Sequence, residues 1–287
     1  MKDRMEKSAV ILEGGAVRGV FSSGALDYLM ERDFYFPYVV GVSAGSCNAL
    51  DYVSKQIGRT RDCMIPGEKS SSYIDIKQMV KQRSLFNMDL IFDKYPNEVF
   101  PFDFDTYFNS SMECELVVTN CITGKAEYLS ESEDAVRLMK LCRASSSMPV
   151  VSPMVEVDGV PYLDGGITDS IPIIHALKKG YHKNVLILTR AKGYRKKVSN
   201  RSARLYLIIY RKYPELAKAI WMRPYVYNKT LSYIEKWEEE GKIFVLRPGD
   251  KVISRTEQNP EILTELYEYG YKEMKKNYQK MLEYMKK

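Results

Sequence analysis

The chain has 287 residues, 45% of them apolar and 28% charged, which are the values of a globular protein long enough for a full core. A net charge of +6 hides an uneven spread: Arg190 to the C-terminus carries +11 and residues 1–189 carry −5, a step that divides the chain into regions 1–190 and 191–287. Cysteines 47, 63, 114, 121 and 142 are scattered without a C-x-x-C pair, which excludes a disulfide framework and a zinc site, and no apolar run approaches the ~18 residues of a membrane span.

Met1 to Lys7 is charged and lacks the apolar stretch and cleavage site of a signal peptide, so a cytoplasmic protein is expected. Ser8 to Glu13 is a short apolar run stopped by Gly14-Gly15, which predicts a buried first strand. Val20 to Arg32 carries Leu26, Leu29 and Met30 at helical spacing. Tyr38 to Val42 predicts a second strand, and Ala44 to Ile57 a helix with Leu50, Val53 and Ile57 on one face. This β-α-β-α opening implies an α/β fold with a mainly parallel sheet and crossover helices. Residues 59–112 are less regular. Ile74 to Leu85 reads as helical and 93–109 is rich in aromatics and acids, and the whole stretch reads as an insertion over the sheet edge with room for a substrate-covering element.

Glu115 to Asn120 and a strand through Tyr128-Leu129 flank a Thr123-Gly124 turn. Ser132 is the expected cap of a helix to Ala144 that places Ala135, Leu138, Met139 and Cys142 on one face. Met154 to Val157 and Val160 to Leu163 form a hairpin around Asp158-Gly159, which suits a type I′ turn and delivers Asp164-Gly165-Gly166 at its end. Pro172 begins a helix closed by Gly180, and Asn184 to Thr189 is another buried strand. Arg201 to Lys242 reads as helical pieces broken at Pro214 and Pro224, and Ile243 to Leu246 as a final strand. Asn259-Pro260 opens a helix to about Tyr284.

Gly41-Val42-Ser43-Ala44-Gly45 fits the G-x-S-x-G elbow, in which a serine on a cramped strand-to-helix turn needs small neighbours at Gly41 and Gly45. A serine nucleophile requires a base and donors for an oxyanion. The chain has two histidines, His175 and His182. The order Ser43, Asp164, His175 matches an α/β-hydrolase triad, but His175 lies only eleven positions after Asp164 in a predicted helix, and His182 follows the Gly180 stop. Asp164, between a hairpin strand and Gly165-Gly166, is the stronger candidate base. Gly14, Gly15, Ala16, Val17, Arg18 and Gly19 form a small-residue loop whose amides make an anion nest, with Arg18 bracing it. The same loop is one residue short of a dinucleotide fingerprint, yet the second strand ends in Gly41-Val42-Ser43 without the acid that a ribose would need. Three readings stay open: a serine acyl hydrolase, a non-catalytic nucleotide- or lipid-binding protein, and a His-dependent esterase.

Glu13-Gly14-Gly15-Ala16-Val17-Arg18-Gly19, the elbow at Ser43 and Asp164-Gly165-Gly166, in this order and spacing, resemble the patatin-like phospholipases over about residues 8–190. The resemblance implies a three-layer α/β/α sandwich, a Ser43–Asp164 dyad without histidine, an oxyanion hole at Gly14 to Gly19, and hydrolysis of phospholipid or lysophospholipid esters without metal or cofactor. Glu13 stands where the family has Asp, Ala16 replaces a third glycine, and Ser170 stands where Asn is common. An alanine keeps the nest if its φ is negative.

In the mostly helical C-terminal region, Leu205, Ile208, Ile209, Leu216, Ala219 and Ile220 fall roughly on one face, which predicts packing on the core. Tyrosines 206, 210, 213, 225 and 227 and Trp221, interleaved with Arg204, Arg211, Lys212, Lys218 and Arg223, suit peripheral contact with an anionic membrane surface. No nucleic-acid recognition motif accompanies these charges.

Overall fold

The computed structural model describes residues 7–67, 86–198, 200–250 and 253–287, so the expected helix Ile74 to Leu85 lies outside the described residues. The chain opens with β1 (Ser8–Leu12), α1 (Gly19–Met30), β2 (Tyr38–Val42) and α2 (Ala44–Val53). Next come α3 (Arg59–Met64), a π-helical segment at Leu90–Val99, α4 (Phe104–Phe108), β3 (Glu113–Asn120), β4 (Ala126–Leu129) and α5 (Ala135–Ser145). The hairpin β5 (Val155–Val157) and β6 (Val160–Asp164), α6 (Ile173–Lys178) and β7 (Lys183–Ile187) follow. After residue 190 come α7 (Asn200–Ile209), α8 (Pro214–Glu239), β8 (Phe244–Leu246) and α9 (Pro260–Lys286).

The strands form one eight-stranded sheet in the order β5-β6-β3-β2-β1-β7-β8, with β4 also paired to β3. From β3 to β8 the pairs are parallel, while β4, β5 and β6 run antiparallel to their partners. Register positions the site. β2 pairs with the first half of β3, placing Val42 opposite Val117, and β6 pairs with the second half, placing Asp164 opposite Val118. Because β4 takes the other edge of β3 across the same residues, β2 and β6 must share one edge and meet C-terminus to C-terminus.

Alternation along the strands sorts their side chains onto two apolar layers. Val10, Leu12, Val39, Leu116 and Val118 face a layer built with α1, α2, α5 and α9. Ala9, Ile11, Val40, Val42 and Val117 face one built with α6 and α8. The three-layer α/β/α arrangement is the one the sequence predicts. The C-terminal residues give one helix to each face and the edge strand β8 to the sheet. α1 is buried all round because α9 crosses it backbone to backbone: a Cβ on Gly270 would lie 2.0 Å from the Phe21 carbonyl oxygen, and one on Gly24 2.1 Å from that of Tyr267.

Local expectations need four corrections. α2 stops at Val53, so Ile57 is exposed and off the helix. α5 is capped by Asp134, whose carboxylate accepts from the Val136 and Arg137 amides, not by Ser132. Pro224 lies inside a continuous α8, while Pro214 occupies its first turn, where a proline costs no hydrogen bond. Leu216 and Ile220 pack as predicted, but Leu205, Ile208 and Ile209 on α7 are exposed.

Candidate active site

Ser43 joins β2 to α2 at φ 57° and ψ −125°, a conformation that costs a non-glycine residue on the order of 1–3 kcal/mol. The spacing of its glycines follows from crowding. A Cβ on Gly41 would sit 2.4 Å from the Gly45 carbonyl oxygen, and one on Gly45 2.3 Å from that of Leu12. Ser145 Oγ holds the turn from outside: it accepts from the Ser43 amide (3.0 Å) and donates to the Val117 carbonyl (2.6 Å).

Asp164, 3% exposed at the end of β6, is carried to Ser43 by the shared edge of β3. Its carboxylate accepts from the Gly166 amide (2.7 Å), and the Ser43 hydroxyl lies near enough to help hold its pKa down. Its main chain is fixed as well, by Thr119 Oγ1 donating to its carbonyl (2.9 Å) and its own amide donating to Ser147 (2.8 Å). Burial pushes its carboxyl above the usual carboxylate range, against the pull of the Arg223 charge, the Gly166 amide and the Ser43 hydroxyl. Raising the pKa makes the carboxylate a better proton acceptor. Gly165 packs over Val117, and Ser170 Oγ donates to the Gly166 carbonyl (2.7 Å), so Ser170 closes this loop on itself.

The glycine loop runs beside Ser43. Ala16 to Arg18 make one 3-10 turn, and Ala16 has φ +50°, so the negative φ given as the condition for alanine in the nest is not met and the loop takes a different shape. That shape is glycine-like, with alanine bearing a strain that glycine would not. Gly14, Gly15 and Ala16 line a polar cavity with Ser43, and the Gly15 and Ala16 amides have no hydrogen-bond partner among the described residues. Val17 turns to the apolar side, and Gly19 begins α1 with its carbonyl accepting from Asn48 (3.0 Å). Arg18 braces the loop by donating to the Ile253 carbonyl (2.8 Å), while burial and the nearby Arg190 lower its pKa to about 10. Glu13 uses its extra methylene to span elements: its carboxylate accepts from the Thr189 amide (2.7 Å) and the Tyr227 hydroxyl (2.6 Å).

Ser43 stands where two cavities meet. On one side an apolar cleft of about 910 Å³, open mouth included, is walled by Val17, Leu50, Phe86, Met88, Phe92 and Met139. Cys47, one turn past Ser43, also lines it. Phe86, Met88, Ile91 and Phe92, within the insertion 59–112, form part of this wall. On the other side, the polar cavity holds Glu13 and Asp164 together with Arg18, Arg190, Lys196, Arg223 and Arg255. Neither histidine lines either space. His175 is hydrogen-bonded to Glu115 (2.7 Å) and stacked on Tyr128, and His182 is exposed.

Ser145 and Lys196 are site residues that sequence reasoning missed, and Arg223 and Tyr227, read there as facing a membrane surface, line the polar cavity instead, with Tyr227 buried. The charge step at 190 was the one signal pointing to the cations. Among the described residues no group of three or more His, Cys, Asp or Glu stands ready to hold a metal, and no helix is long and apolar enough to cross a membrane.

A nucleophile elbow, an aspartate and a glycine loop at the parallel strand ends of a three-layer sheet agree with what the sequence profile finds: the patatin-like phospholipase family matches residues 10–177, and the chain belongs to that family. A second profile, a domain of unknown function (DUF6363), matches residues 213–286. The uncharacterized protein YjjU of Escherichia coli (strain K12) is 28% identical over 186 residues, 63% of this chain and 51% of that protein. The chain thus spans about half the length of this curated relative. The crystal structure of VipD from Legionella pneumophila aligns over 96% of this chain and 67% of that one, with a TM-score of 0.47 and 14% identity.

Proposed function

We propose that the protein is a serine acyl hydrolase that cleaves carboxylic esters of phospholipids or lysophospholipids through Ser43 and Asp164. The observation that carries this reading is Ser43 sharing a polar cavity with a buried carboxylate of raised pKa, at the point where an apolar cleft meets that cavity. Asp164 takes the Ser43 proton as Oγ bonds to the ester carbonyl carbon, and the Gly15 and Ala16 amides receive the oxyanion. When the tetrahedral intermediate collapses, the ester C–O bond breaks and the leaving alcohol takes the proton from Asp164. Water then gives a proton to Asp164, its oxygen bonds to the acyl carbon, and the carboxylic acid departs as Ser43 is reprotonated. The cleft suits the acyl chain.

The substrate would be drawn from a lipid surface. Leu205, Leu207, Ile208 and Ile209 on α7, and Trp221 and Tyr225 on α8, are exposed next to Arg211, Lys212 and Lys218. This combination suits an anionic interface. The Tyr210 hydroxyl, just past α7, accepts from the Val150 amide (2.7 Å), which ties the patch to the loop carrying Met148 at the junction of the two cavities.

Hydrolysis of p-nitrophenyl butyrate and of 1-oleoyl-lysophospholipids by wild type and by Ser43→Ala, Asp164→Asn and His175→Ala tests the chemistry. The expected outcome is loss in the first two variants and retention in His175→Ala. An inert wild type, or loss in His175→Ala with Asp164→Asn spared, would overturn it.

A further inference from the structure

We infer that the polar cavity is a phosphate subsite, to which the C-terminal region contributes Lys196, Arg223 and Arg255, so that the ester presented to Ser43 belongs to an anionic lipid whose glycerol carries a phosphate monoester, as lysophosphatidate does. The inference rests on the hydrolase reading for its substrate and on the cavity alone for its anion.

The cavity is unbalanced in charge. It holds five cationic side chains and two carboxylates, and both carboxylates already accept hydrogen bonds from the protein. Among the described residues, no carboxylate stands within ion-pair distance of Arg190, Lys196, Arg223 or Arg255. Arg223 Nε is buried without a hydrogen-bond partner among the described residues, which leaves a donor available to an anion. Lys196 Nζ lies 3.1 Å from the Tyr227 ring centroid, and the Arg190 guanidinium 4.2 Å from that of Tyr194. Aromatic faces orient these cations without neutralising them.

The arrangement is held in place. The Lys196 amide donates to Asn228 Oδ1 (2.8 Å) and Asn228 Nδ2 donates back to the Lys196 carbonyl (3.0 Å), which pins the loop after β7 to α8. Arg223, Tyr227 and Asn228 lie within little more than one turn of α8, so the helix carries one phosphate donor and the supports of another. Burial first, and Arg223 second, push the Lys196 ammonium down to about 6, with Arg190 adding to the fall and Glu13 and Asp164 opposing it. An arriving dianion reverses that balance. Arginine forks suit phosphate oxygens bidentately, and a wall of cations opposes a quaternary ammonium head. Because the cavity adjoins Ser43 opposite the apolar cleft, the phosphate falls on the leaving-alcohol side of the ester.

The test is calorimetric binding of glycerol 3-phosphate, inorganic phosphate and glycerol to the full chain, with kcat/KM for 1-oleoyl-lysophosphatidate, 1-oleoyl-lysophosphatidylcholine and 1-oleoylglycerol alongside. Glycerol 3-phosphate is expected to bind and glycerol not to, with Arg223→Gln and Lys196→Gln each weakening binding by about tenfold or more. The preference for lysophosphatidate over 1-oleoylglycerol should fall by a similar factor in both variants. Should Arg223→Gln fail to fold, Arg190→Gln is read in its place. Inorganic phosphate binding as tightly as glycerol 3-phosphate, with no preference for lysophosphatidate, would assign the cavity to free phosphate and overturn the substrate. Ester hydrolysis without glycerol 3-phosphate binding would overturn the subsite and leave the hydrolase standing. Binding without hydrolysis of any ester would uphold the subsite and sink the hydrolase.

Discussion

Asp164 combines two properties that usually conflict, deep burial and a retained role as hydrogen-bond acceptor. Burial raises its pKa, and the Arg223 charge, the Gly166 amide and the Ser43 hydroxyl limit the rise. If Asp164 is the base, kcat/KM for a neutral soluble ester must fall as pH drops through this raised value, because the protonated acid cannot accept the serine proton. A pH–rate profile should place the acid limb above the ordinary carboxylate range of about 4. Asp164→Asn should lose about 10²–10⁴ in kcat and the limb with it. A wild-type limb set by a group near pH 4 would argue against that role. Ala16 supplies a second residue-scale prediction. Its φ of +50° is one that glycine adopts freely, so Ala16→Gly should be neutral or raise the melting temperature by about 2–4 °C, the equivalent of ~1 kcal/mol at this size. Marked loss of stability would show that the alanine methyl packs more than it strains. The elbow and the dyad loop were readable because their rules are local: glycines two residues from a serine, a carboxylate before Gly-Gly. Arg223 and Lys196 were not, since their position depends on where α8 crosses the sheet.

Among the elements, the decisive device is the shared edge of β3. β2 and β6 lie about 120 residues apart in the chain, yet consecutive residues of one strand, Val117 and Val118, align their ends. The hairpin turn was legible, with Asp158 and Gly159 both at positive φ as Asp-Gly predicts, but which edge the hairpin would join was not. Helical periodicity likewise found α9 and its Asn259 cap. It could not tell that Gly270 would touch the Phe21 carbonyl of α1, because a glycine inside a helix carries no sign of its partner. For α7 periodicity misled: an apolar face was read as core, yet Ile208 is 71% exposed. This exposure yields a prediction. Ile208→Glu with Leu205→Glu should weaken binding to phosphatidylglycerol vesicles by about tenfold or more while leaving the melting temperature within a few degrees. Unchanged vesicle binding would remove α7 from the interface, and a collapse in melting temperature would return its residues to the core.

At the scale of the whole molecule, the charge step at Arg190 has a spatial meaning. The residues beyond it cover both faces of the sheet, extend its edge with β8, and turn Lys196 and Arg223 inward at the polar cavity, which the exposed Arg255 also lines, while Arg211, Lys212 and Lys218 stay outside. Composition revealed the excess of positive charge but not its division, because inward and outward cations count alike. The layered α/β plan was legible from alternating strands and helices, and the family follows from the ordered glycine loop, elbow and Asp-Gly-Gly. Whether this architecture works as a hydrolase depends on one atom, Ser43 Oγ, being nucleophilic. The direct measurement is labelling of the full chain with a fluorophosphonate, followed by mass spectrometry of the modified peptide. One stoichiometric adduct is expected on Ser43, absent in Ser43→Ala and strongly slowed in Asp164→Asn. No adduct on wild type, or an adduct that persists in Ser43→Ala, would contradict it.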